Sequence, residues 1–319
     1  MFKPIYIVDE RVHLSGLLRN PNAIPILEQN LLKIDWYTLS ENPNAIHLLE
    51  KNIKKINWTY LSRNPNAIHL LEKNIKKINW SAFSLNPNSI PLFEKKFKYF
   101  NRIDWNHLSA NPNAIHLLEK NMDKINCDYL SENPNAIPLL EKNMDKIHWD
   151  RLSGNSNAIH ILEKNLDKIN WKRLSLNPNA IPLLEKNLGK IGWDLLSLNS
   201  NAIPILEKNL DKVNWTHLSL NPNAIHLLEQ NPDKINWRYL SKNPNAIHLL
   251  EQNPDKIDWF HLSSNPNAMH LICKLDLEKM RKQCQPFAQE LCAFVLHPSR
   301  LTRLAQKYGL DLEDYIDFI

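Results

Sequence analysis

The chain is predicted to be an all-α solenoid of about twelve 22-residue repeats, each built from two short helices. Three observations predict it. The tripeptide Asn-Pro-Asn or Asn-Ser-Asn begins at residues 20, 42, 64, 86, 111, 133, 155, 177, 199, 221, 243 and 265, spaced by 22 apart from one step of 25. All ten tryptophans occupy one column of that repeat: residues 36, 58, 80, 105, 149, 171, 193, 215, 237 and 259. No segment alternates polar and apolar residues with β-branched enrichment, so strands are not expected. A unit this short cannot bury an apolar face by itself and must stack on its neighbours.

Each unit is numbered 1 to 22 from its first Asn. Five units carry Pro at position 6 (Pro25, Pro91, Pro138, Pro182, Pro204). Proline fits only the first turn of a helix, where its missing N–H has no partner to lose. The first helix therefore starts near position 4, with the Asn at position 3 expected as its N-cap. The Asn at position 11 is expected to end it in a left-handed conformation. Helical spacing puts positions 4, 5, 7, 8 and 12 on one apolar face, as in Ala136, Ile137, Leu139, Leu140 and Met144. Position 16, mostly Asn or Asp, caps a second helix that reads Trp-x-x-Leu-Ser. The Trp at position 17 and the Leu at position 20 share a face there, and the tryptophan column is expected in the core. The recurring Asn at positions 1, 3 and 11 and Ser at position 21 are expected to satisfy backbone groups along the stack.

Residues 1–19 keep a degraded half-unit, with Leu14 in the tryptophan column, and are predicted to cap the start. Residues 20–272 form the repeat array, with an insertion near 95–100 expected to kink or bulge it. Residues 273–319 are predicted to be a C-terminal cap of about three helices: up to Gln285, Pro286 to Leu296, and Ser299 to near Gly309, with a last turn from Asp311. Leu301, Leu304, Ala305 and Tyr308 give an apolar stripe for docking that cap on the last repeat.

Composition excludes several classes. Hydrophobic residues are 43% and charged residues 23%, ordinary soluble usage, and the formal net charge is +5. No apolar run is long enough for a membrane span, and the start does not read as a secretory signal. The four cysteines show no paired framework, which points to a reducing compartment. No phosphate-binding glycine loop, nucleophile elbow or metal-protease motif occurs, so no enzyme and no cofactor are expected. Histidine recurs at position 6 (His47, His69, His116, His160, His226, His248, His270) but alternates with Pro, so no metal site is expected there. His270, Cys273, Cys284, Cys292 and His297 are too irregularly spaced for a zinc site.

Two surfaces are candidates for binding. The variable positions 18, 19 and 22 of the second helix carry Tyr37, Tyr60, Arg63, His107, Tyr129, Arg151, Arg173, His217, Arg238, Tyr239, Phe260 and His261, the residue types of a protein-binding surface. Solvated filler between repeats is the alternative. Residues 51–102 carry eleven Lys or Arg against Glu72 and Glu94. Among them are Lys51, Lys54, Lys55, Lys73, Lys76, Lys77, Lys95, Lys96, Lys98 and Arg102. Such a patch suits nucleic acid or an acidic protein, or is simply a solvated face.

The residues W-x-x-L-S-x-N-P-N-A-I-x-L-L-E-x-N-x-D-K-I resemble the tandem repeats of proteins from giant DNA viruses of amoebae. The resemblance covers about residues 14–272. Val295-Leu-His-Pro-Ser-Arg-Leu and Asp311-Leu-Glu-Asp-Tyr-Ile are similar to the C-terminal ends of the same viral proteins. More remotely, the Asn-Pro-Asn turn before Leu-Leu-Glu resembles the leucine-rich repeat variant, a superhelix of alternating short helices. The sequence departs from the pattern at the insertion before residue 111 and at Ser156 and Ser200. The resemblance implies a helical superhelix and an intracellular setting, in host cytoplasm or virion, and implies no activity. The expected function is a non-enzymatic protein-interaction scaffold. The alternatives are nucleic-acid or acidic-partner binding through residues 51–102, or a structural role in the virion.

Overall fold

A computed structural model describes residues 4–31, 34–95 and 97–308. The fold is an all-α repeat solenoid. It divides into two compact units, one of residues 10–272 and one of residues 4–9 with 273–308.

In the unit of residues 10–272, one repeat shows how sequence becomes structure. The first helix runs over Ile137–Glu141 with Pro138 in its first turn. A 3-10 turn follows at Met144–Lys146, and the second helix lies at Trp149–Leu152. The cap of the Asn-Pro-Asn turn is the Asn at position 1, not the one at position 3. Asn133 Oδ1 accepts the N–H of Asn135 at 3.0 Å, while Ala136 at the helix start makes no side-chain cap. The Asn at position 11 is not left-handed: Asn143 has φ −133°, and its Nδ2 donates to the Leu139 carbonyl at 2.9 Å. Position 16 caps as expected, with Asn170 Oδ1 of the next repeat accepting the Arg173 N–H at 3.0 Å.

Burial follows the helices until they end. The alanine at position 4 and the leucines at positions 8 and 20 are fully buried, as Ala136, Leu140 and Leu152 show. Position 12 is corrected: Leu31, Ile53, Met122, Met144, Leu166, Leu188 and Leu210 are exposed. The first helix has stopped by then, and a separate 3-10 turn points the side chain outward. The tryptophans are corrected too, since every one is only half-buried. A one-turn helix centres the leucine of position 20 and leaves the indole at the edge. There the position-14 lysine of the next unit covers it, as Lys190 Nζ does over Trp171 at 4.8 Å and Lys168 over Trp149 at 4.6 Å.

Polar ladders join one unit to the next. Asn133 is fully buried and donates to Ser109 O at 3.0 Å and Asn111 O at 2.9 Å in the preceding units. Asn135 Nδ2 donates to Pro112 O at 2.9 Å. Ser131 Oγ donates to Cys127 O at 2.8 Å and accepts the N–H of His148 at 3.1 Å. The buried amides and hydroxyls of these ladders are tolerated because each of them is satisfied; among the described residues Ser89, which stands where other units have alanine, is the buried hydroxyl without a partner.

The same ladders close the array into a ring. Asn20 Nδ2 donates to Asn265 O at 2.9 Å and Ser263 O at 3.4 Å, and Asn22 Nδ2 to Pro266 O at 2.8 Å. His13 N–H donates to Ser263 Oγ at 2.9 Å, and the Arg11 guanidinium lies 3.9 Å from the Trp259 ring centre. Residues 10–19 are therefore not a cap. They supply the second helix, Leu14–Leu17, of a twelfth unit whose first helix is Met269–Ile272. With matching faces at both ends, no terminal face needs shielding.

The insertion leaves this register intact. It forms a longer 3-10 turn over Phe97–Arg102, and Asn111 still bonds Asn86 O at 2.9 Å across it. Tyr99 stacks on Trp80 at 5.0 Å, covering that indole as a lysine does elsewhere. Of the two expectations, kink or bulge, the extra residues take the form of a bulge: they lengthen this turn and leave the ladders alone.

In the second unit, strand β1 (Tyr6–Val8) pairs antiparallel with β2 (Cys273–Leu275), a pairing that sequence reading did not anticipate. The helices expected on either side of Pro286 are one helix, Leu277–Val295. Pro286 and Lys282 are both exposed, so the carbonyl left without an amide partner can reach water. This helix buries no residue. A second helix, Pro298–Tyr308, follows and buries Leu301. The Ala305 and Tyr308 side chains and the turn from Asp311 lie outside the described residues.

Candidate binding surfaces

Successive second helices pack directly on one another, as Trp58–Arg63 does on Trp80–Ser84 and Trp171–Leu176 on Trp193–Leu196. Successive first helices stand further apart and are bridged by long side chains. In a closed ring the elements that approach most closely lie nearest the axis; these are the second helices together with the Asn-Pro-Asn turns that follow them, so both line the inner side.

The predicted protein-binding row lies on that side and is exposed or half-buried throughout. Its members touch from unit to unit. Tyr37 and Tyr60 have ring centres 4.3 Å apart and hydroxyls at 3.0 Å. That shared bond raises the Tyr37 phenol above its usual value. His107 meets Tyr129 edge-on at 5.8 Å, and Arg151 covers Tyr129 at 4.8 Å while pairing Glu132 at 2.9 Å. Arg173 pairs Asp150 at 3.0 Å, and His217 Nδ1 bonds Asp194 O at 2.8 Å. Tyr239, His261 and Phe260 form the next aromatic group. Arg63 and Arg238 are exposed.

Two carboxylates orient histidines in this row. Asp104 accepts from Ser81 Oγ at 2.7 Å and His107 Nδ1 at 2.8 Å. Burial raises its pKa, but these bonds outweigh burial and hold it below the usual carboxylate value. Asp258 behaves alike. Burial raises it, while the His261 N–H, the His261 ring at 2.9 Å and the Arg238 charge bring it lower overall. A carboxylate only accepts, so each Nδ1 carries the proton.

The basic residues sit elsewhere on the unit, at positions 10, 13 and 14. Lys51, Lys54, Lys55, Lys73, Lys76, Lys77, Lys95 and Arg102 are exposed. Among the described residues none of them pairs with a carboxylate, and Lys55 lies over Trp36 at 4.9 Å. Lys96 and the Lys98 side chain lie outside the described residues.

Sequence reading missed the role of position 6. Each of its seven histidines bonds the position-9 glutamate of the preceding unit through Nε2, as His69 does to Glu50 at 2.6 Å and His226 to Glu207 at 2.7 Å. The signal was present, since a glutamate recurs at position 9 along the array and lies one helix away. Arg19 and Lys242, both at position 22, also extend the inner row and escaped notice. Among the described residues no three His, Cys, Asp or Glu side chains converge as a metal site, and all four cysteines are free thiols. Burial raises the Cys127 and Cys273 thiols.

Fold and surface together define a class: an all-α tandem-repeat ring with a constant polar framework and a variable inner row. No family model, no curated protein and no solved structure matches the chain. Among the described residues no helix is long and apolar enough to cross a membrane.

Proposed function

We propose that the ring is a non-enzymatic protein-interaction scaffold whose inner second-helix row receives the partner. The observation that carries this reading is the run of Tyr, His, Arg and Phe side chains from Tyr37 to His261, joined unit to unit over a framework that hardly varies. Aromatic and arginine side chains dominate binding energy at interfaces, and the contacts that join them from unit to unit lower the ordering cost of binding. The resemblance to giant-virus repeats supports a setting in host cytoplasm or virion. Affinity purification of the tagged chain, with nuclease treatment, tests the reading. A specific nuclease-resistant protein, lost with Tyr60→Ala/Tyr129→Ala/Arg151→Glu, is expected; recovery that the triple variant leaves unchanged would overturn it.

One observation favours a second reading. The lysines at positions 10, 13 and 14 of the second and third units are exposed and lack acidic partners, which suits nucleic acid or another polyanion. Steeply salt-dependent RNA or DNA binding, abolished by Lys54→Glu/Lys76→Glu/Lys95→Glu, would move the function there. A structural virion role draws less support, because a ring offers no open end face from which a strut extends. Fixed copy number in purified particles would restore it.

A further inference from the structure

The inner row is interrupted where the ring closes. Position 19 carries a side chain in every other unit, but here it is Gly16, which is buried. Gly16 itself packs against Ser263, and it lines a cavity of about 390 Å³ that reaches across four consecutive units from Lys242 to Thr38. The volume falls in the range of small-molecule sites.

The lining is one-sided in charge. Arg19 and Lys242 face the cavity, with His261 and the exposed Phe260 ring beside them. Hydroxyls of Ser15, Thr38 and Ser264 complete the polar wall, and no carboxylate lines it. Those of Thr38 and Ser264 already donate, to Asp35 and to the His261 carbonyl, while the exposed Ser15 hydroxyl makes no such bond among the described residues. Asp258 is engaged by the ring and backbone N–H of His261, and among the described residues neither Arg19 nor Lys242 has a carboxylate partner. Two permanent cations and a hydroxyl donor around a hollow match a dianion. An aromatic face at the rim matches a planar ring.

We propose that this cavity binds a small phosphate monoester bearing a flat ring, of the nucleoside monophosphate class. Its phosphate sits between Arg19 and Lys242, and its ring lies against Phe260. The ligand touches residues on both sides of the seam: Lys242, Phe260 and His261 from the C-terminal end of the array, and Ser15 and Arg19 from the N-terminal half-unit. Binding therefore staples the ring closed, because a species that binds only the closed form stabilises it by mass action. The proposal does not depend on the protein-scaffold reading, which concerns the whole row.

The test is calorimetric titration of the full chain with adenosine 5′-monophosphate and with inorganic phosphate, together with thermal unfolding. Saturable binding of the nucleotide with a raised Tm is expected, with inorganic phosphate at least tenfold weaker. Arg19→Ser/Lys242→Ser should weaken nucleotide binding at least tenfold, and Phe260→Ala several-fold. Circular dichroism checks that each variant is folded, and Lys242→Gln alone gives a milder variant at an exposed site. Three results would each overturn the proposal: no binding at millimolar nucleotide, equal affinity for inorganic phosphate, or affinity unchanged in the folded Lys242→Gln and double variants.

Discussion

Gly16 lies so close to Ser263 that a β-carbon built on it would sit 2.5 Å from Ser263 Cβ and 3.0 Å from the Phe260 carbonyl. Both neighbours belong to the closing joint, and one of them is backbone. Gly16→Ala is therefore expected to destabilise the protein by about 1–3 kcal/mol through overpacking, seen as a lower denaturation midpoint. Gly189→Ala is the control, because a β-carbon there meets nothing within 4 Å, and its midpoint should hold or rise. A Gly16 variant as stable as the parent would mean that the joint is open in solution.

The buried asparagine column should be the most sensitive polar feature of the fold. Asn133 makes two donated bonds and one accepted bond, at 3.0, 2.9 and 3.0 Å. Alanine there leaves the Ser109 carbonyl and the Asn135 amide short of partners, while the Asn111 carbonyl keeps the Ala114 N–H at 3.1 Å; each buried group left unsatisfied costs about 1–3 kcal/mol. Asn135 also bridges units, but its amide bond to Pro112 is exposed. Asn135→Ala should cost roughly 1 kcal/mol. Urea unfolding of both variants measures the difference, and equal costs would contradict this account of the ladder.

Much of the fold was legible because the repeat fixes its own period. The five prolines at position 6 dated the start of the first helix, and the Asn or Asp at position 16 marked the second. Several misplaced features depended on a neighbour that a single unit does not contain, while the exposed position 12 and the backbone of Asn143 follow from where the first helix stops within its own unit. The Asn at position 3 looked like a cap, yet the Asn135 amide reaches back to Pro112 in the preceding unit. The indoles looked like core because the side chain covering most of them, usually a lysine, comes from the next unit. Ring closure was the furthest from view, since Asn20 and Asn265 are 245 residues apart. A clue lay in the half-units: the N-terminal segment supplies only a second helix, and the array stops after a first. The inner row was readable as a set of variable positions, while the cavity was not, because its lining comes from both ends of the chain, from Ser15 and Arg19 to Lys242 and Ser264.

Acid should loosen the seam side of the inner row. Asp258 titrates below its unfolded value, so its contribution is fully present above about pH 4, the unfolded carboxylate value. It is lost as pH falls through the lower folded value. Asp258→Asn should flatten the stability profile on that acid limb and leave it unchanged near neutrality apart from a constant offset. Chemical unfolding at a series of pH values compares the two. A variant whose acid limb matches the parent's would rule out this carboxylate as a contributor.

The seam should behave like an internal joint of the array. Arg11 over Trp259 at 3.9 Å occupies the place that Lys190 over Trp171 at 4.8 Å holds inside the array. Forming the seam orders residues 10–19, at about 1–2 kcal/mol of backbone entropy per residue, so it forms only if its ladders and buried Leu17 and Leu18 outweigh that cost. If they do, Arg11→Ala and Lys190→Ala should each lower stability by about 0.5–1 kcal/mol, in one cooperative transition. An open array would respond differently: Arg11→Ala would be silent while Lys190→Ala kept its effect, because only the internal joint would be populated. Equal, non-zero costs at the two sites would therefore be evidence that residues 10–19 complete the twelfth unit in solution.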